Sequence, residues 1–284
     1  MEFRTVVDIE DLGFQIRPFE EMLFVGSCFA TEIGRRFQEA QFSATVNPYG
    51  VMYNPASILH TLQRLSASNP SVAFLTLGTN HVYRLKETGE IVDNCQRRPQ
   101  SLFTEEELSA DECADYLRQS IEILRQMNPE VHVVLTVSPI RYRKYGYHGS
   151  QLSKATLLLA VEKLLTIDNS CVPSVASEQS SSAQFTSYFP AYEILMDELR
   201  DYRFYQEDML HPSQQAVDYI WERLVETCFS LEAKTFLEEW RPVRQALNHK
   251  PFDSESDEYR RFQEQTRLHL KSLQEKYPAL KVNI

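Results

Sequence analysis

The chain has 284 residues, 43% of them hydrophobic and 24% charged, which is ordinary for a globular protein and ample for a buried core. Its net charge of −11 argues against nucleic acid as a partner, because phosphate backbones are held by clustered Lys and Arg. Five widely spaced cysteines without a C-x-x-C pair argue against a disulfide framework or a zinc ribbon and predict a reducing, cytoplasmic setting.

In chain order, residues 22–25 (Met-Leu-Phe-Val) predict a buried strand and 29–39 a helix. Residues 43–46 follow as a second strand and 54–65 as a second helix. The run Val-Ala-Phe-Leu-Thr-Leu at 72–77 is a third strand, ending in Gly78-Thr79-Asn80. Residues 82–85 and 91–92, joined by a polar turn at 87–90, predict a hairpin beside the C-terminal edge of the sheet. A helix near 109–127 buries Leu117, Ile121 and Leu124, and its start has two candidate capping boxes, Thr104/Glu107 and Ser109/Glu112. The fourth strand is 131–137, followed by a helix at 152–165 and a Ser-rich loop at 168–184. A fifth strand near 185–189 precedes helices at 190–200 and 214–229. The tail is helical, with Tyr259, Phe262, Thr266, Leu270, Leu273 and Tyr277 on one face.

Strands alternating with helices imply an α/β fold, a doubly wound parallel sheet of five strands between two helical layers. It spans residues 1–230, and a helical extension at 231–284 packs on it or on a partner. The N-terminus carries no apolar leader, and no run approaches the roughly 20 apolar residues of a spanning helix, so no membrane contact is expected.

Ligands of such sheets bind at the carboxyl ends of the strands. Four polar clusters fall there: Gly26-Ser27-Cys28, Asn47-Pro48-Tyr49-Gly50, Gly78-Thr79-Asn80 and Asp208-Met209-Leu210-His211. Asp208 and His211 are three apart, so the carboxylate can accept from Nδ1 and leave Nε2 free as a base. Ser27 and Cys28 both stand where a strand turns into a helix, a place that favours an anionic nucleophile. A thiol gains more there, because the helix terminus and a nearby His lower its pKa.

Each feature also has a structural account. Ser27 serves equally as a helix N-cap, although Ala30 leaves its capping box incomplete, and Cys28 as a small buried residue. Gly50 and Asn80 suit an oxyanion hole but also suit turns. Arg141-Tyr142-Arg143-Lys144 is either a solvated loop or a holder of an anionic substrate, with Arg141 and Asn47 as candidate substrate contacts.

Gly26-Ser27-Cys28-Phe29-Ala30 resembles the motif that names the GSCFA family, a bacterial branch of the SGNH (GDSL-like) hydrolase superfamily. Asn47-Pro48-Tyr49-Gly50, Tyr53-Asn54-Pro55, Leu77-Gly78-Thr79, Val137-Ser138-Pro139 and the run from Tyr188 to Tyr205 are similar to it too, so the likeness covers roughly residues 20–225. The resemblance implies sheet order 2-1-3-4-5, a nucleophile in the first block, an oxyanion hole at Gly50 and Asn80, and an Asp208–His211 pair. In that register Ser27 stands where the superfamily has Asp and Cys28 where it has the nucleophile, which favours a thiol. The implied activity is ester hydrolysis or acyl transfer on a small or carbohydrate-linked acyl substrate, through a covalent acyl-enzyme, with neither metal nor cofactor. The alternative is a non-catalytic module that binds a glycan or an acyl carrier.

Overall fold

The computed structural model describes residues 4–66, 68–93, 95, 98–170 and 186–282. The elements run β1 (Glu21–Gly26), α1 (Cys28–Glu39), β2 (Ser43–Val46), α2 (Pro55–Arg64) and β3 (Val72–Leu77). Then come β4 (His81–Leu85), β5 (Ile91–Val92), β6 (Phe103–Glu107), α3 (Ala110–Met127), β7 (His132–Val137) and α4 (Gly146–Ser170). β8 (Thr186–Tyr188) and α5 (Ala191–Glu193), which continues as a π-helical turn, lead to α6 (Gln214–Cys228), α7 (Leu231–Leu247) and α8 (Asp257–Lys276).

Five parallel strands form the central sheet in the order β2-β1-β3-β7-β8, the order expected. Successive side chains of a strand point to opposite faces, so each central strand feeds two cores. Met22 and Phe24 of β1, with Phe74 and Val134, pack under α1 and α6. Leu23, Val25, Ala73, Leu75, Val133 and Leu135 pack under α2, α3 and α4. Strands buried on both faces read as continuous apolar runs, which is why β1, β3 and β7 stand out in the sequence.

Two glycines set how closely the layers approach. Gly26 ends β1 at φ +141°, where a Cβ would lie 2.2 Å from the Thr76 carbonyl oxygen. Gly34 of α1 sits against Val46, and a Cβ there would come within 2.5 Å of it.

Several elements depart from expectation. The inserted hairpin is a three-stranded antiparallel sheet, β5-β4-β6. Thr104 and Glu107 belong to its third strand, and α3 is capped by Ser109, which bonds reciprocally with Glu112. α4 starts at Gly146, before the expected residue 152, since the low helix propensity of Gly146 and Gly149 masks its first turn. It also runs on to Ser170, and the rest of the loop expected at 168–184 lies outside the described residues.

The C-terminal helices bury Phe236, Trp240, Val243, Leu270, Leu273 and Tyr277 in a core of their own, against which Phe19 packs. Trp240 Nε1 donates to the Glu39 carbonyl at 2.8 Å, tying α7 to the end of α1. Tyr259 and Phe262 leave the expected stripe and pack around His249 instead. No helix among the described residues is long and apolar enough to cross a membrane.

Candidate active site

The turn from β1 into α1 is built around Ser27. Its backbone N–H donates to Thr76, to the carbonyl at 3.1 Å and to Oγ1 at 2.9 Å. Ser27 Oγ donates to Ser138 Oγ at 3.0 Å, lies 3.0 Å from Thr76 Oγ1 and accepts from the Phe29 N–H at 3.3 Å. The side chain is fully buried and caps α1. In this network the hydroxyl caps α1 and ties β1 to β3 and β7.

Cys28 is the first residue of α1 and is half-buried, facing the open end of the sheet. Burial pushes its thiol up, outweighing the lowering from its own N–H, the Phe29 N–H and the Lys154 ammonium. This reverses the depressed value that the helix terminus alone predicts. The walls of the recess remove more hydration from the thiolate than two N–H dipoles and one partly charged lysine return.

Lys154 is the residue that pattern reading passed over. It is fully buried, and Nζ donates to the Gly78 carbonyl at 2.7 Å and the Ser138 carbonyl at 2.9 Å, joining the ends of β3 and β7. Desolvation lowers its pKa to about 7, while Cys28 raises it. A lysine in an amphipathic helix ordinarily reads as solvent-facing, and only its place among Leu157, Ala160 and Val161 hints otherwise.

Asp208 and His211 sit in a tight loop closed by an antiparallel bridge between Tyr205 and Pro212. Asp208 Oδ1 accepts from the N–H groups of Leu210 (2.8 Å) and His211 (3.0 Å), and Oδ2 lies 2.6 Å from His211 Nδ1. Those bonds hold its carboxyl at about 2. Because a carboxylate only accepts, Nδ1 is the donor in this contact, and in the neutral ring that leaves the Nε2 lone pair free.

The clusters meet only in part. Ser27, Cys28, Gly78, Ser138, Arg141 and His211 line one recess of about 230 Å³, with Tyr53 and Tyr142 on its wall. A second recess of about 350 Å³ shares Cys28 and His211. A further cavity of about 510 Å³ between α1, α6 and α7 is lined by no cysteine, serine or histidine.

Gly50 and Asn80 stand apart from both recesses. The Gly50 N–H donates to the Asn47 carbonyl at 2.9 Å, and Asn80 Nδ2 donates to the Leu108 carbonyl at 2.7 Å. The Gly50 N–H is spent within its own turn, and the Asn80 amide reaches a carbonyl 28 residues on. Asn47 also lines neither recess. Oδ1 accepts from the Gly26 N–H at 2.9 Å and Nδ2 donates to Thr31 Oγ1 at 2.9 Å, fastening the end of β2 to the β1–α1 turn.

His81 is buried and stacks on Tyr145 at 3.6 Å, and Cys95 lies outside both recesses. Cys113 and Cys228 are buried, and burial pushes the Cys113 thiol up to about 12. No cluster of three His, Cys, Asp or Glu able to hold a metal occurs among the described residues.

Among solved structures, the chain is similar to a family 3 carbohydrate esterase from Clostridium thermocellum. The two share 14% identity at TM-score 0.41, over 81% of this chain and 99% of that one. It is also similar to a family 3 carbohydrate esterase from Talaromyces cellulolyticus, with 10% identity and TM-score 0.40 over 77% and 99% of the two chains. An acetyl xylan esterase from the rumen bacterium Butyrivibrio proteoclasticus matches at 10% identity and TM-score 0.42, over 74% of this chain and 63% of that one. No curated protein matches. The GSCFA family matches residues 21–71 and 66–224, and the C-terminal domain of GSCFA domain proteins matches 240–283. With most of its length accounted for in this way, the chain belongs to the GSCFA family.

Proposed function

We propose that this protein is an ester hydrolase or acyltransferase that works through an acyl group on Cys28. The observation that carries the reading is a half-exposed thiol at a helix N-terminus, in one recess with a histidine whose Nδ1 is held by a carboxylate.

Because burial raises the thiol, Cys28 rests protonated at neutral pH and needs a base at the moment of attack. His211 Nε2 takes the proton as sulfur bonds to the ester carbonyl carbon. The tetrahedral oxyanion then collapses, the alcohol leaves with the proton from His211, and a thioester remains on Cys28. His211 next takes a proton from water or an acceptor alcohol, whose oxygen displaces the thiolate. Asp208 fixes the imidazole and offsets its transient charge.

The oxyanion falls to donors that are still unspent. The Cys28 N–H heads α1 without an intrahelical partner, and Tyr53, whose phenol can donate, lines the same recess. Burial and the nearby Cys28 push the Tyr53 phenol up, so it stays a neutral donor.

The test is intact mass after incubation with p-nitrophenyl acetate. Wild type and Ser27→Ala should gain one acetyl group, removed by hydroxylamine, and Cys28→Ala should gain none. Turnover by Cys28→Ala at the wild-type rate would sink the reading.

A further inference from the structure

Cys28 and His211 stand between two recesses of opposite character. The first is walled by Arg141, Arg143 and Lys144, and no carboxylate lines it. The second carries Glu32 and Asp208 beside the shared Cys28 and His211. The chain has 40 acidic residues against 29 basic, so a wall of cations beside the nucleophile runs against its overall charge.

The cations differ in what they already hold. Lys144 donates to Glu105 Oε1 at 2.7 Å and to the Tyr83 hydroxyl, so its charge is largely answered. Arg141 and Arg143 have no carboxylate partner among the described residues. Arg141 is nonetheless fixed. Its N–H donates to the Leu210 carbonyl at 3.0 Å, Nη1 donates to the Met209 carbonyl at 3.2 Å, and the guanidinium lies 4.5 Å from the Tyr147 ring centre and 5.1 Å from that of Tyr205. A guanidinium held this way loses little freedom on binding, and its remaining N–H groups match the two oxygens of a carboxylate or phosphate.

We propose that the basic recess is an oxyanion subsite. The acyl donor carries a carboxylate or phosphate group that pairs with Arg141 and Arg143 while its ester carbonyl lies at Cys28. This rests on Cys28 being the nucleophile. Glu32 and Asp208 turn the same group away from the other recess, so the electrostatics fix which end of the donor lies on which side. The RYRK run is then both a loop and a binding wall.

The experiment alkylates the full-length protein with iodoacetate, an anion, and iodoacetamide, its neutral counterpart, with the modified residue located by peptide mapping. In each case the Cys28 thiolate displaces iodide. The ratio of the two rates is referred to N-acetylcysteine at the same pH. The expected ratio at Cys28 exceeds the free-thiol ratio by roughly tenfold or more, and added NaCl lowers it. Arg143→Glu should bring it to the free-thiol value or below, whereas Arg118→Glu, the same charge change on exposed α3, should not. Inorganic phosphate and succinate as competitors separate the two donor types by which slows iodoacetate at the lower concentration. Labelling of Cys28 by both reagents at the free-thiol ratio overturns the subsite and leaves the nucleophile standing. Failure of both reagents to label Cys28 overturns both.

Discussion

The two halves of the candidate site are built in opposite ways. The β1–α1 turn that carries Cys28 is assembled from distant parts of the chain: Ser27 reaches Thr76 and Ser138, Asn47 reaches Gly26, and Lys154 reaches Gly78 and Ser138. The histidine loop closes locally between Tyr205 and Pro212, takes its long-range bonds from Arg141 at the Met209 and Leu210 carbonyls, and leaves both Asp208 and His211 partly exposed. A buried network of long reach ties a residue's chemistry to global stability, and an exposed local loop does not. Substitutions on the floor should therefore cost folding, and substitutions on the loop should cost activity alone.

The largest effect is expected at the point where the halves meet. Cys28→Ala should abolish acylation, at least about 10³-fold, with Tm within about 3 °C of wild type, since the side chain is half-exposed and makes no structural bond. A large Tm loss would move Cys28 from the chemistry to the floor.

Asp208→Asn tests the loop. Acylation should fall by about 10²–10⁴-fold, because the imidazole loses the carboxylate that sets its tautomer, while Tm changes little. The sign of the pH effect follows from a carboxyl held below its usual value. Any stabilisation by Asp208 is present above 3.8, its ordinary pKa, and is lost as pH falls through about 2. The small Tm difference between variant and wild type should vanish over that interval in thermal melts.

Ser27→Ala tests the floor. Losing the cap and orphaning Thr76 and Ser138 should cost about 2–3 kcal/mol, or about 5–10 °C in Tm, with acylation kept within about tenfold. Equal Tm losses in Ser27→Ala and Asp208→Asn, seen side by side, would erase the contrast between the halves.

The effect that varies most with pH belongs to Lys154→Met. Its pKa falls from 10.5 to about 7 on folding, so between those values the unfolded chain binds the extra proton and stability rises with pH. Denaturant titrations from pH 7 to 9 should show wild type gaining at up to about 1.4 kcal/mol per pH unit relative to the variant. The iodoacetamide profile of Cys28 in the variant should also move to higher pH, because a cation that favours the thiolate is gone. A profile that stays in place would leave Lys154 as a strand tie only.

What the sequence discloses divides along the same line. The central sheet is plain in it, because β1, β3 and β7 are apolar on both faces. β6 is not, since Phe-Thr-Glu-Glu-Glu buries only Phe103 and its pairing with β4 lies outside any local pattern. The Asp208–His211 contact spans three residues and was readable from spacing alone. Gly50 and Asn80 lie outside both recesses, because motif order gives a residue's rim position but not its hydrogen-bond partner. The β4–β6 insertion brings the Leu108 carbonyl onto Asn80, and no spacing in the chain foretells that. Ser27 and Cys28 differ by one step of the chain. Which of them caps and which faces out is set by the phase of the turn, and Gly26 at φ +141° fixes that phase.

The reach of the Ser27 hydroxyl has a consequence for the order of events during synthesis. Its partner at Ser138 lies 111 residues further on, and the Lys154 contacts require the chain to extend further still. A nascent chain that has made α1 and even β3 cannot yet hold Cys28 in place. The thiol becomes part of a defined site only when β7 and α4 have docked, and the histidine follows last. Cys28, which precedes these partners in the chain, thus stays unassembled until most of the sheet exists.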